Sequence, residues 1–173
     1  MKTATIHELK QELQQVSHAR LTELCLRLAR FKKENKELLG YLLFESHNEE
    51  GYIHSVKLVI DEEFTTLPEG GVYLQKKTLR KILRITNKHI RYTGSKQAEA
   101  ALLLHFCHKM TEADIAYDQS PVLRNIYAQQ LKKIRAAIDT MHEDLQYDFR
   151  RELEALPAAE PGKPGLLKLF RRR

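Results

Sequence analysis

His105, His108 and Glu112 stand three and four residues apart, so a helix through them puts all three on one side. Imidazole and carboxylate at that spacing suit zinc or a similar divalent metal, but a full site needs further ligands from elsewhere in the chain. His47, Glu49 and His54 are the donors on offer, and nothing in the sequence fixes their distance. The plainer reading is a pair of partly exposed histidines near a helix C-terminus, where the helix dipole favours a cation.

A second set is larger. Lys77, Arg80, Lys81, Arg84, Lys88 and Arg91 recur at three- and four-residue steps, and no acidic residue interrupts residues 70–98. A row of cations along one side of a helix can track phosphates, each contact adding to a salt-dependent affinity. The joint that follows, Tyr92-Thr93-Gly94-Ser95, has the length of a DNA-binding helix-turn-helix. The next helix, however, carries Leu102, Leu103 and Leu104 where donors to base edges would be needed. The expectation is therefore a solvated face partly neutralised by the acidic residues of 45–69. Its functional alternative is sequence-independent contact with a polyanion through helix 76–91.

Other chemistry is thinly represented. The runs Asp61-Glu62-Glu63 and His142-Glu143 are sequence neighbours, which do not face each other on a helix. There is no glycine-rich phosphate loop, no nucleophile elbow and no clustered Cys/His ligand set, so no cofactor is implied. An enzyme survives as a reading only in a metal-dependent or motif-less helical form.

The last candidate is the tail. Pro157 to Gly165 contains three prolines and two glycines, and reads as a linker. It delivers Leu166-Leu167-Lys168-Leu169-Phe170 and then Arg171-Arg172-Arg173. Leu167, Leu169, Phe170 and Arg171 are the expected docking residues. Leu167-Lys168-Leu169-Phe170 resembles the hydrophobic end of the bacterial sliding-clamp binding peptide, a glutamine followed by Leu-x-Leu-Phe. Leu166 stands where that motif has its glutamine, so the polar anchor is missing. Aliphatic and arginine side chains together also suit an anionic lipid surface, and the tail folding back on its own domain is the bland alternative.

The elements that must position these residues are helices. The 173 residues include only seven glycines and five prolines, and three of those prolines lie in the tail. A hydrophobic fraction of 42% and a charged fraction of 30% fit amphipathic helices. Thr5-Ile6-His7-Glu8 has the capping-box pattern, and Ser17 is placed to cap a second helix. Leu21, Leu24, Cys25, Leu28 and Phe31 form the stripe of that helix; Leu38, Leu39, Leu42 and Leu43 form that of a third. Tyr52 to Thr66 mixes β-branched residues with helical spacing, and helix is favoured because a lone strand would have no partner. Ser120-Pro121 starts a long helix, predicted to run to Leu153 with Tyr127, Leu131, Ile134, Ile138, Met141 and Leu145 as its seam. Glu37 to Phe44 also lines up with Glu99 to Phe106, a hint of repeated helical hairpins.

The expected fold is all-α: a helical bundle, or a short α-solenoid of stacked hairpins, over residues 1–155. A linker and a hydrophobic-basic tail follow at 156–173. Two cysteines, each in an aliphatic helical pattern, read as buried free thiols, and no apolar run approaches a membrane span. A cytoplasmic location is expected. The net charge of +6 and pI near 9.3 make the chain basic. The expected function is a non-catalytic helical protein-interaction module or scaffold with a protein partner. Nucleic-acid association through helix 76–91 is the alternative, and a helical enzyme the second alternative.

Overall fold

The computed structural model describes residues 2–68, 71–113, 115 and 120–158. The expected docking residues of the tail, Leu167, Leu169, Phe170 and Arg171, lie outside them. The described residues form helices and connecting turns without a strand: α1 (Ile6–Gln15), α2 (His18–Phe31), α3 (Lys33–Gly40), α4 (Glu49–Thr65), α5 (Val72–Thr93), α6 (Lys96–Glu112), α7 (Pro121–Ile138) and α8 (Glu143–Glu154). The all-α expectation holds, with α4 in place of a strand over the stretch from Tyr52, ending at Thr65. A single wide turn of π-helix, Tyr41–Glu45, follows α3. Contacts divide the chain into two compact units, Met1–Ser46 and His47–Arg173, each described by itself.

In the first unit, local chemistry sets the helix ends. The Thr5 hydroxyl accepts from the Glu8 amide at 3.3 Å, and the Thr5 amide donates to the Glu8 carboxylate at 2.7 Å. This completes the capping box, and these bonds hold the Glu8 carboxyl below its usual range. The Ser17 hydroxyl caps α2 by accepting from the Arg20 amide at 3.3 Å. α2 packs on α3, and the Asn35 side chain ties them by donating to the Leu28 carbonyl at 2.9 Å.

The predicted stripe of the third helix is only half right. The Ser46 amide donates to the Tyr41 carbonyl at 2.9 Å, a bond spanning five residues, which breaks the helical register. Leu38 and Leu39 remain half-buried, while Leu42, Leu43 and Phe44 emerge exposed. Apart from Tyr41, no described residue of this unit is buried.

The second unit is built on α6. Nine of its residues are buried, among them Leu102, Leu103, Leu104, Phe106, Cys107 and Met110. A helix apolar on every side must be clad on every side, and α4, α5, α7 and α8 all pack on it. The α4 face supplies Tyr52, Ile53, Val56 and Ile60, α5 supplies Leu79, Ile82, Thr86 and Tyr92, and α7 supplies Leu123, Tyr127, Leu131, Ile134 and Ile138. Burial of the β-branched run in α4 outweighs its modest strand preference. α5 ends at Gly94, whose φ of 63° closes the helix in the left-handed region. Ser95 then caps α6, and Ser120 with Pro121 starts α7, both as the sequence predicts.

The long C-terminal helix is instead two. α7 stops at Ile138, and a tight turn through Asp139–His142 sends the chain into α8. The Thr140 hydroxyl donates to the Ala137 carbonyl at 2.8 Å, competing with the helical bond, and the His142 ring accepts from the Asp144 amide at 3.4 Å as a new N-cap. The seam therefore holds from Tyr127 to Ile138, whereas Met141 is half-buried and Leu145 exposed. Nor do the two similar segments share a structure: Glu37–Phe44 ends in the wide turn with exposed leucines, while Glu99–Phe106 is the buried middle of α6.

Candidate functional site

The solvent face of α5 is where the sequence and the structure meet most closely. The helix turns its apolar side onto α6, which sends the opposite side to water. Lys77, Arg80, Lys81, Arg84 and Arg91 are exposed, and Lys88 is half-buried. At 1.5 Å per residue, the row from Lys77 to Arg91 is about 21 Å long. Tyr73 opens the same face, 70% exposed, with the Lys76 ammonium 5.1 Å from its ring centroid. The Lys88 ammonium leans towards the Tyr92 ring, 5.9 Å from the centroid.

Among the described residues of the second unit, the acidic side chains of 49–63 only partly neutralise this row. Glu63, its side chain only 20% exposed, reaches the Lys81 ammonium at 2.7 Å and neutralises that one cation. Asp61 turns the other way, to His105 Nε2 at 2.7 Å and the Lys109 ammonium at 3.5 Å on α6. Glu49 accepts from the Ser95 hydroxyl at 2.6 Å, locking the start of α6 to the start of α4. Lys77, Arg80, Arg84 and Arg91 have no carboxylate partner among the described residues.

His105, His108 and Glu112 do not assemble a metal centre. His105 is held by Asp61, and Glu112 holds Lys109 at 2.8 Å. Those contacts, the Glu112 hydrogen bond first and Asp61 after it, raise the Lys109 ammonium above its usual range. Burial pushes the His108 imidazole below its usual value, against the opposing pull of Glu152 and Glu112. Among the described residues no group of three or more potential ligands gathers. The expected extra donors go elsewhere: Glu49 bonds Ser95, and His47 and His54 are exposed.

Two features carry no sequence signal. The Tyr52 hydroxyl and His89 Nδ1 are 2.7 Å apart, and His89 meets the Tyr92 ring edge-on at 5.7 Å, so an aromatic cluster fastens α4 to α5. Spacing within one helix cannot reveal a pair 37 residues apart. Likewise, a cleft of about 360 Å³ opens between α7 and α8, walled by Leu131, Ile138, Leu153 and Leu156. Its charged rim holds Arg135, Asp139, Arg150 and Glu154, with Arg150 on Asp139 at 3.2 Å.

The other conspicuous surface belongs to the first unit. Leu28, Phe31 and Phe44 are 61%, 76% and 72% exposed, and Ile6, Leu9, Leu13, Leu21 and Leu43 are exposed as well. These include apolar stripe residues of α1 and α2, not scattered substitutions on a polar surface.

Burial makes the Cys107 thiol a poor nucleophile. Cys107 is fully enclosed in α6, and that burial pushes its pKa to about 12. No helix among the described residues is long and apolar enough to cross a membrane. Compared with protein-family models, curated proteins and solved structures, the chain finds no match, so its own residues carry the functional reading.

Proposed function

We propose that the chain is a non-catalytic helical interaction module, and that the apolar sides of α1, α2 and the Tyr41–Glu45 turn receive a protein partner. The observation that carries this reading is the exposure of the amphipathic stripe. Helices this short are marginal in water by themselves, and an amphipathic face normally gains its stability by burial. Leu28, Phe31, Leu43 and Phe44 keep that face in solvent. Fully burying one such side chain contributes about 1.5–3 kcal/mol, so a handful of them suffices for a specific complex. Exposed apolar surface of this kind marks interaction sites more often than it marks ordinary monomer surface.

The second unit supplies a scaffold with its own buried core, built on α6. A cytoplasmic location fits the free thiols of Cys25 and Cys107.

The test is capture from a nuclease-treated native lysate. The parent chain is compared with a variant carrying Leu28→Ser, Phe31→Ser and Phe44→Ser. A protein retained by the parent and lost by the variant is the expected result. Equal capture by the parent and the variant would place the working surface elsewhere.

A further inference from the structure

We infer that the solvent face of α5 is a binding surface for nucleic-acid phosphates that does not read base sequence. Four observations converge on it. Lys77, Arg80, Arg84 and Arg91 are exposed and unneutralised among the described residues. They recur along one side of a straight helix, about one cation per 5.4 Å turn, which matches a regularly charged polymer better than a compact ligand. Three of the four are arginines, whose planar forks pair bidentately with phosphate oxygens. Of the acids on the neighbouring α4, Asp61 is committed to α6 and Glu49 to the Ser95 cap, while Glu63 neutralises Lys81 alone.

The same geometry separates nucleic acid from its rivals. A helix that lies in a membrane surface must offer lipid an apolar side. From Leu79 onward the apolar side of α5, with Leu79, Ile82 and Tyr92, is buried in the core of the unit, and the exposed apolar residues Val72, Tyr73 and Leu74 are confined to its first turn. Base reading needs donors and acceptors from a helix seated in the groove. α6, the helix that follows the turn, has nine buried residues, Leu102, Leu103 and Leu104 among them, and is packed against α4, α5, α7 and α8 rather than free to enter a groove. What remains is contact with the backbone, driven by counterion release and blind to sequence. Tyr73, exposed at the leading end of the row, adds one surface for stacking against an unpaired base.

The salt dependence follows from the contact number. Four neutralised phosphates give a log–log slope of about −3.6 for duplex DNA and about −2.8 for a single strand. Raising salt fourfold should therefore weaken duplex binding about a hundredfold.

The experiment is fluorescence anisotropy of the full chain with two unrelated labelled DNA duplexes of about twenty base pairs and with a thymidine homopolymer, at several salt concentrations. The parent is compared with the triple variant Arg80→Gln, Arg84→Gln and Arg91→Gln, and with the corresponding triple change to lysine. All three side chains are exposed, so circular dichroism should show parent-like folding for both variants. The parent should bind the two duplexes equally within threefold, with the slope given above. The glutamine variant should lose at least tenfold in affinity and its slope should fall to about −1, one contact remaining. The lysine variant should keep most of the slope. Parent-like binding by the glutamine variant overturns the assignment. So does a tenfold preference between the duplexes, or binding to phosphatidylserine vesicles with none to DNA.

Discussion

Phe106 and Phe31 make a matched pair of perturbations. Both become alanine, so the chemistry deleted is the same and only the surroundings differ. Phe106 is fully buried in α6, its ring 5.5 Å from that of Phe64. Truncating an enclosed phenylalanine leaves a cavity and costs about 3–5 kcal/mol, and the lost ring contact lies within that figure. Phe31 is the last residue of α2 and 76% exposed. Removing it should change stability by no more than about 0.5 kcal/mol. Urea unfolding followed by far-UV circular dichroism reads both, since the chain has no tryptophan to report by fluorescence. With a slope of about 2 kcal/mol/M, Phe106→Ala should lower the midpoint by roughly 2 M. Phe31→Ala should leave it within about 0.3 M. A drop of 1 M or more, by about the same slope, for Phe31→Ala would mean that its ring is buried in solution, and the open apolar face would be gone. A negligible effect of Phe106→Ala would remove α6 from the centre of the core.

Three further outcomes are expected. His108 has a folded pKa depressed below the free imidazole value, so its neutral form contributes stability that is full above about pH 6.5 and is lost as pH falls through the folded pKa. His108→Gln should flatten the decline in urea midpoint between about pH 7 and pH 5, and an unchanged decline refutes the contribution. Gly94 holds φ at 63° in open space, so Gly94→Ala should cost about 1 kcal/mol through backbone strain alone, read in the same unfolding assay. A thiol reagent should label Cys25 in the native chain and reach Cys107 only on unfolding, because the buried thiol's pKa of about 12 leaves almost no thiolate. Two fast equivalents under native conditions would contradict the enclosed α6 environment.

The sequence shows most clearly what is decided within one turn of chain. The Thr5–Glu8 box, the Ser17 and Ser95 caps, and Ser120 before Pro121 all act where their patterns predict. They are legible because each satisfies its neighbours' amides, whatever the tertiary surroundings. The break at Asp139–His142 was not legible, because the apolar spacing runs through it to Leu145 unbroken. A hydroxyl on Thr140 and an imidazole on His142 outcompete that spacing by bonding the backbone locally. The wide turn after Gly40 hides in the same way, behind a leucine pattern that a regular helix would bury.

Among the candidate sites, the cation row on α5 was legible in full as a row. Its partners were not, since periodicity says which residues share a face and nothing about what covers that face. Asp61 therefore looks in the sequence like a partner for α5, and in three dimensions it belongs to His105 and Lys109. The same limit applies to α1 and α2. Their stripes are as regular as that of α7, yet α7 buries its residues and they do not.

Hydrogen exchange on the purified chain and on its captured complex tests the interaction-module reading most directly. In the free chain the amides of α1 and α2 should exchange through low-energy local opening, while those of α6 approach the limit set by global unfolding. In the complex, α1, α2 and the Tyr41–Glu45 turn should gain protection and α6 should stay unchanged. If α1 and α2 in the free chain are already as protected as α6, their apolar faces are covered without a partner, and the account is contradicted.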